Sequence, residues 1–379
     1  MTGENLHNLP ELPVKCGFGG ENSPNDSRCP VTPFRPNFVP SRLIEEAKSG
    51  WFPLGIRHCI GCELCSPDAN SSFPKCADRI ILAGGPREGN FPRAFGGALD
   101  AVVELQIKGN RQNRLDWITP ELKICTGSPS HGIGLFVGCS PYYDALLSDI
   151  LGVRFTNEAH AAVTLLNAIG IDPVVLEDEV CCGGDRLHAA DREGFLSLGS
   201  RNLELFKKRG VKTIITACDD CRYTLSNRYP GRIPGWDIKV IRLADFLFEN
   251  GGKLAFSSVK KSVAIQTGTF FEDPESKNSV AGLLKRVPDL KIIEIEQGHP
   301  STFGGWNQFD GISKRMESAF LKAAEATGAD VLLVPSSRVL ARLSEGRRPG
   351  SWELSSIEIK GLYGFLSENH IVLSEFAGA

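Results

Sequence analysis

From Gly132 onward the chain alternates two patterns of apolar residues. Short, largely continuous apolar runs occur at Ile133–Val137, Val174–Leu176, Thr213–Ala217, Val240–Leu243, Val263–Gln266, Ile292–Ile295 and Val331–Val334, each of strand length. Between them, Asn157–Ile169, Arg192–Arg209 and Lys314–Thr327 bring apolar residues back at helical spacing. Strands without in–out alternation, separated by amphipathic helices, predict an α/β fold with parallel layers. Upstream the pattern changes. Residues 1–40 are rich in Pro, Asn and Gly and predict irregular structure. Residues 41–130 predict a small helical domain, with Ser41 capping a helix over Arg42–Ser49 and a second helix from Arg93 to Lys108.

The α/β part contains an internal repeat. Leu135-Phe136-Val137-Gly138-Cys139 aligns with Ala264-Ile265-Gln266-Thr267-Gly268, Cys181-Cys182-Gly183-Gly184 with Thr302-Phe303-Gly304-Gly305, and Thr213–Cys221 with Asp330–Arg338. The predicted units are therefore 131–255 and 256–379. The second unit is a copy of the first without its cysteines: Gly268, Thr302, Phe303, Pro335 and Arg338 stand where the first has Cys139, Cys181, Cys182, Cys218 and Cys221.

Composition narrows the function classes. At 379 residues, with 41% apolar residues, 23% charged residues and a formal net charge of −3, the chain has the make-up of an ordinary soluble protein. No basic block interleaved with aromatics points to nucleic acid. The longest apolar runs are too short to span a membrane. Gly17-Phe18-Gly19-Gly20 follows no strand and opens no helix, so it is not a dinucleotide loop. Twelve cysteines with no secretory leader predict metal binding in a reducing cytoplasm.

Those cysteines fall into two constellations. Cys139 and Cys218 each follow a predicted buried strand, where open α/β sheets place their ligands. Forty-one residues separate Cys139 from Cys181, and 34 separate Gly183 from Cys218. The adjacent Cys181 and Cys182 cannot readily bridge each other but can bind different metal atoms. Cys218 and Cys221 enclose only Asp219 and Asp220, so both thiols can leave one helix start on the same side. Five thiols exceed what a tetrahedral zinc ion or an ordinary Cys₄ cluster uses, which favours a larger or unusual iron–sulfur cluster; zinc and a cubane are the alternatives.

The second constellation is Cys59-Ile60-Gly61-Cys62-Glu63-Leu64-Cys65, three thiols at three-residue intervals, which suits a [4Fe-4S] cubane. The fourth ligand is Cys76, ten residues further on, or Cys29, which precedes a proline; Cys76 is preferred. Cys16 and Cys125 are left without an assigned role.

The array Cys139, Cys181-Cys182-Gly183, Cys218-Asp219-Asp220-Cys221 resembles the CCG domain of the heterodisulfide reductase family, B and D types, over about residues 130–230. The resemblance implies a noncubane [4Fe-4S] cluster on Cys139, Cys181, Cys182, Cys218 and Cys221. It also implies two Rossmann-like CCG halves, the second degenerate, behind a ferredoxin-like [4Fe-4S] domain holding a cubane on Cys59, Cys62, Cys65 and Cys76. The expected function is an electron-transferring iron–sulfur subunit of a heterodisulfide-reductase-like complex. Its expected partners are flavin- or iron–sulfur-containing subunits of the A and C types, in a hetero-oligomer. Family members that cleave the heterodisulfide use two facing noncubane clusters, whereas this chain has ligands for one. Two other readings stand beside it: a thiol/disulfide reductase acting at the noncubane cluster, with His188 as the proton donor, or a docking scaffold for a flavin-bearing partner. In the first of these readings Phe270, Phe271, Phe303 and Trp306 would shape a cleft between the halves; packing within the repeat is the alternative role, and the preferred one.

Overall fold

The strands that carry the thiols form because Val, Ile and Leu runs are buried on both faces, as parallel sheets covered by helices require. The computed structural model describes residues 32, 36–48, 98–108, 114–127, 129, 131–188, 191–266, 274–295, 312–346 and 356–371. Cys16, Cys29, Cys59, Cys62, Cys65, Cys76, Gly268, Phe270, Phe271, Thr302, Phe303 and Trp306 lie outside the described residues, as does the side chain of His188.

Two helices precede the sheets, α1 (Pro40–Lys48) and α2 (Ala98–Ile107). Ser41, expected to cap α1 from outside, lies within its first turn, because the helix begins at Pro40, whose fixed φ suits that position. The first sheet runs β1 (Ile133–Phe136), β2 (Thr213–Thr216), β3 (Lys239–Arg242), all parallel. Val174 adds an isolated parallel bridge to Gly134 on the free side of β1, less than the strand expected over 174–176. The second sheet holds β5 (Ser262–Ile265), β6 (Lys291–Ile293), β7 (Val331–Val334) and β8 (Glu358–Gly361), in the parallel order β6-β5-β7-β8. A short antiparallel pair joins β4 (Ala255–Phe256) to β9 (His370–Ile371).

Counting the Val174 bridge, both sheets place their segments in the order second, first, third, fourth. The register agrees with the sequence repeat residue for residue: Leu135 pairs with Ile215, and their aligned counterparts Ala264 and Leu332 pair with each other. The likeness continues into the helices after the fourth strands, α8 (Leu243–Asn250) and α12 (Leu362–Glu368). Asn250 Nδ2 donates to the Phe246 carbonyl at 2.9 Å, and Asn369 Nδ2 donates to the Phe365 carbonyl at 2.7 Å.

One core spans both sheets. Leu135 and Ile215 of the first sheet, Leu165 and Leu166 of α4 (Thr156–Ala168), Leu283 and Leu284 of α9 (Pro274–Leu284), Val263 and Leu333 of the second sheet, and Tyr363 of α12 belong to it. Within it, the buried Glu158 of α4 accepts from the Tyr363 amide (3.0 Å) and the Gly364 amide (2.8 Å). A carboxylate on the orphan N–H groups of a helix start is favourable in charge and geometry. Burial nevertheless pushes Glu158 up to about 7.

Candidate metal centre

Each ligand turn grows from a strand or helix end. After β1 the chain turns at Gly138, whose φ of +70° favours glycine, and where a side chain would press within 2.9 Å of Cys221 Sγ. Cys139 then starts α3 (Ser140–Leu151); its carbonyl accepts from Tyr142 N and Tyr143 N, both at 3.0 Å. After β2, Cys218 starts α7 (Asp219–Tyr223), which carries Cys221, and its carbonyl accepts from Arg222 N at 2.9 Å. Cys181 and Cys182 come just before α5 (Gly184–His188), joined to it by Gly183 at φ +74°.

All five expected thiols meet. Cys139 Sγ lies 3.4 Å from Cys181 Sγ, Cys181 touches Cys182, Cys182 touches Cys221, and Cys221 touches Cys218. Cys181, Cys182, Cys218 and Cys221 are buried, Cys139 is half-buried, and none is in a disulfide. They line one cavity together with Ser140, Tyr143, Asp185, Asp220, Thr224, Ser337 and Arg338. Among the described residues, no three His, Cys, Asp or Glu side chains converge as on a single ion. The thiols instead form a chain of pairwise contacts, which suits several metal atoms each taking its own sulfur.

Electrostatics agree with that donor set. Contact with Cys139 leads the causes that push the Cys181 thiol well up, contact with Cys181 does the same to Cys182, and contact with Cys182 does it to Cys221. Neighbouring buried thiolates repel, so several can ionise together only around a cationic core. Five clustered thiols from three turns, none in a disulfide, are a donor set that fits an iron–sulfur cluster.

A shell of polar side chains fixes these turns. Glu179 accepts from the Val137 amide (3.1 Å) and the Gly138 amide (2.7 Å). It pairs with Arg114 Nη2 at 3.0 Å, both side chains being almost wholly buried. Arg114 also donates to the Gly138 carbonyl at 2.6 Å and lies over the Tyr142 ring. Burial pushes Glu179 up to about 7, against the pull of Arg114. Gln106 of α2 accepts from Cys181 N at 2.8 Å, so the segment before the sheets touches a ligand turn directly. Asn202 of α6 (Arg192–Lys208) brackets Val180, accepting from its amide (3.0 Å) and donating to its carbonyl (3.1 Å). Tyr229 OH donates to the Cys182 carbonyl at 3.0 Å. The π-helical turn Thr224–Arg228 precedes Tyr229 and sets its register, a distortion often found at functional sites.

Sequence reasoning found the thiols and missed this shell, since Arg114, Gln106, Glu179, Asn202 and Tyr229 stand in no motif. Among the charged residues beside the turns, Arg186 pairs with Glu104 (2.8 Å) and Asp191 (3.1 Å). Asp219 is buried and is pushed up to about 7 by burial, against Arg242 and Arg222. Of the five counterpart positions in the second half, Pro335 and Arg338 are described. Arg338 is buried in the wall of the thiol cavity.

Residues 133–226 match the CCG cysteine-rich domain family, covering all five thiols. The chain is 23% identical to the D subunit of dihydromethanophenazine:CoB–CoM heterodisulfide reductase from Methanosarcina mazei, over 70% of this chain and 63% of that protein. It is 27% identical to an uncharacterized iron–sulfur protein of Methanococcus maripaludis (68% and 50% covered) and 24% identical to the B subunit of fumarate reductase (CoM/CoB) from Methanothermobacter marburgensis (74% and 54% covered). It thus spans less than two thirds of the length of these relatives. A solved structure of a hypothetical protein from Helicobacter pylori aligns over 88% of this chain and 66% of that one, at 13% identity and a TM-score of 0.48. Residues 133–226 thus carry a CCG cysteine-rich domain whose five thiols cluster in three turns, and over a longer stretch the chain is similar to heterodisulfide reductase D subunits and to iron–sulfur proteins.

Proposed function

We propose that this protein is an electron-transferring iron–sulfur subunit of a heterodisulfide-reductase-like oxidoreductase complex. It would pass electrons between a cubane on Cys59, Cys62, Cys65 and Cys76 and a noncubane [4Fe-4S] cluster on Cys139, Cys181, Cys182, Cys218 and Cys221. The observation that carries the reading is the contact chain of five thiols at the carboxyl ends of β1 and β2 and before α5. The two sites would belong to a ferredoxin-like domain over 41–130 and a Rossmann-like CCG half over 131–255, with a degenerate half over 256–379. Similarity to named reductase subunits supports a hetero-oligomer; its partners would be flavin- or iron–sulfur-bearing subunits and its place the cytoplasm.

A cluster at this site would supply one-electron chemistry. The chain's own part is to hold five thiolates, keep them out of water and fix their turns through Glu179, Arg114, Asn202 and Tyr229. Gln106 of α2, inside the proposed ferredoxin-like unit, accepts from the Cys181 amide, so that unit would touch the five-thiol site.

The test is a dithionite reduction of anaerobic protein followed by a one-electron acceptor, watched by low-temperature electron paramagnetic resonance. Two distinct signals that reoxidise together support the reading. If Cys182→Ser removes one signal and the other then stays reduced, electrons leave through the five-thiol site, as the reading requires. A single signal in the parent protein, or two that reoxidise independently of each other, would contradict it.

A further inference from the structure

We propose that the cysteine-free half supplies the counter-charge of the metal site: Arg338, standing where the repeat would place a fifth thiol, joins two ligand turns and holds the site's reduction potential up. The inference rests on the reading that a cluster occupies the five-thiol site.

Three consecutive residues of the second half reach all three cysteine-bearing turns of the first. Ser337 Oγ lies 2.9 Å from the Oγ of Ser140, next to Cys139. Ser336 Oγ donates to Asp220 Oδ2 at 2.5 Å and lies 3.7 Å from Cys218 Sγ. Arg338 Nη2 lies 2.8 Å from Asp185 Oδ1, in the turn that follows Cys181 and Cys182. The Arg338 charge also acts on Asp220, between Cys218 and Cys221. In the repeat these three residues align with Asp219, Asp220 and Cys221, so the loop after β7 has kept the position of a ligand turn and exchanged its chemistry.

The charges give that exchange a consequence. Five thiols, Asp185 and Asp220 surround the cavity, and among the described residues lining it Arg338 is the one cation. Each electron added to a site so rich in anions is opposed by them, and a buried guanidinium at its wall offsets part of that opposition. Arg338 therefore favours the reduced site over the oxidised one, a positioning and tuning role that needs no contact with iron. A second cluster is replaced here by a fixed positive charge.

The test is potentiometric titration, followed by electron paramagnetic resonance with iron content, on the full chain and on Arg338→Gln, Arg338→Lys and Asp185→Asn. Arg338→Gln is expected to keep its iron and titrate at a lower potential. Arg338→Lys should stay near the parent, and Asp185→Asn should move upward. An unmoved potential in iron-loaded Arg338→Gln would overturn the proposal. If Arg338→Gln fails to accumulate, Arg338→Met decides: a lowered potential in the iron-loaded variant supports it, and an unmoved one overturns it. Absence of iron from the five-thiol site of the parent protein is a separate result, which removes the underlying reading before any variant is compared.

Discussion

The two sheets share strand order, pairing register and the asparagine that closes the helix after the fourth strand, yet one carries five thiols and the other, at its described counterpart positions, Pro335 and Arg338. The shared backbone is therefore not enough to bring five thiols together. What distinguishes the first half is the thiols and the polar shell that holds their turns. The second half keeps the packing role of the same scaffold and turns its equivalent loop onto the first half's site.

The sharpest way to break this comparison is to disrupt one buried ion pair under the first half's site and one inside the second half. Arg114–Glu179 lies under the Cys139 turn, and Arg342–Glu317 is equally buried between α10 (Ile312–Ala326) and α11 (Ser337–Gly346). Removing one partner leaves an uncompensated buried charge, so Arg114→Met and Arg342→Met should each cost about 3–5 kcal/mol in denaturant unfolding. Arg114→Met should also shift or abolish the signal of the five-thiol site, and Arg342→Met should leave it intact. Equal spectral damage from both would mean that the halves are not separable in function.

A smaller effect sharpens how the halves are joined. Glu158 of the first half caps α12 of the second, and burial raises it to about 7 from its ordinary value. Between the ordinary value and about 7 the folded protein binds more protons than the unfolded chain. This contribution to stability is thus complete below the ordinary carboxylate range and is lost as pH rises toward 7, by about 3 kcal/mol. Glu179 and Asp219 are raised to about 7 as well, so the three act in the same direction. Glu158→Gln should flatten part of the stability–pH slope between about pH 5 and 7, measured by urea midpoints; an unchanged slope would show that Glu158 is not titrating there.

Much of the fold is legible in the sequence because parallel strands buried on both faces leave continuous apolar runs. Val331–Val334 has the same bounds in prediction and structure, and most of the others differ by a residue or two at their ends. Strand β8 escapes such a search because its residues alternate between half-buried and buried, hiding an edge strand among polar positions. The thiols are legible because their spacing reflects turns at strand and helix ends. The shell is not, because a hydrogen bond such as that from the Cys181 amide to Gln106 joins residues 75 apart through tertiary packing alone. In the sequence Arg338 is only the place of a missing ligand; its ion pair to Asp185 crosses between the halves and leaves no local pattern.

The central claim is that the five-thiol turns of the first half hold iron and sulfide as a site of their own. The most direct measurement is the iron, sulfide and zinc content of anaerobically purified parent protein and of Cys182→Ser. About eight irons falling to about four, with matching sulfide and little zinc, is the predicted result. Unchanged iron in Cys182→Ser, or stoichiometric zinc with little iron in the parent, would contradict it.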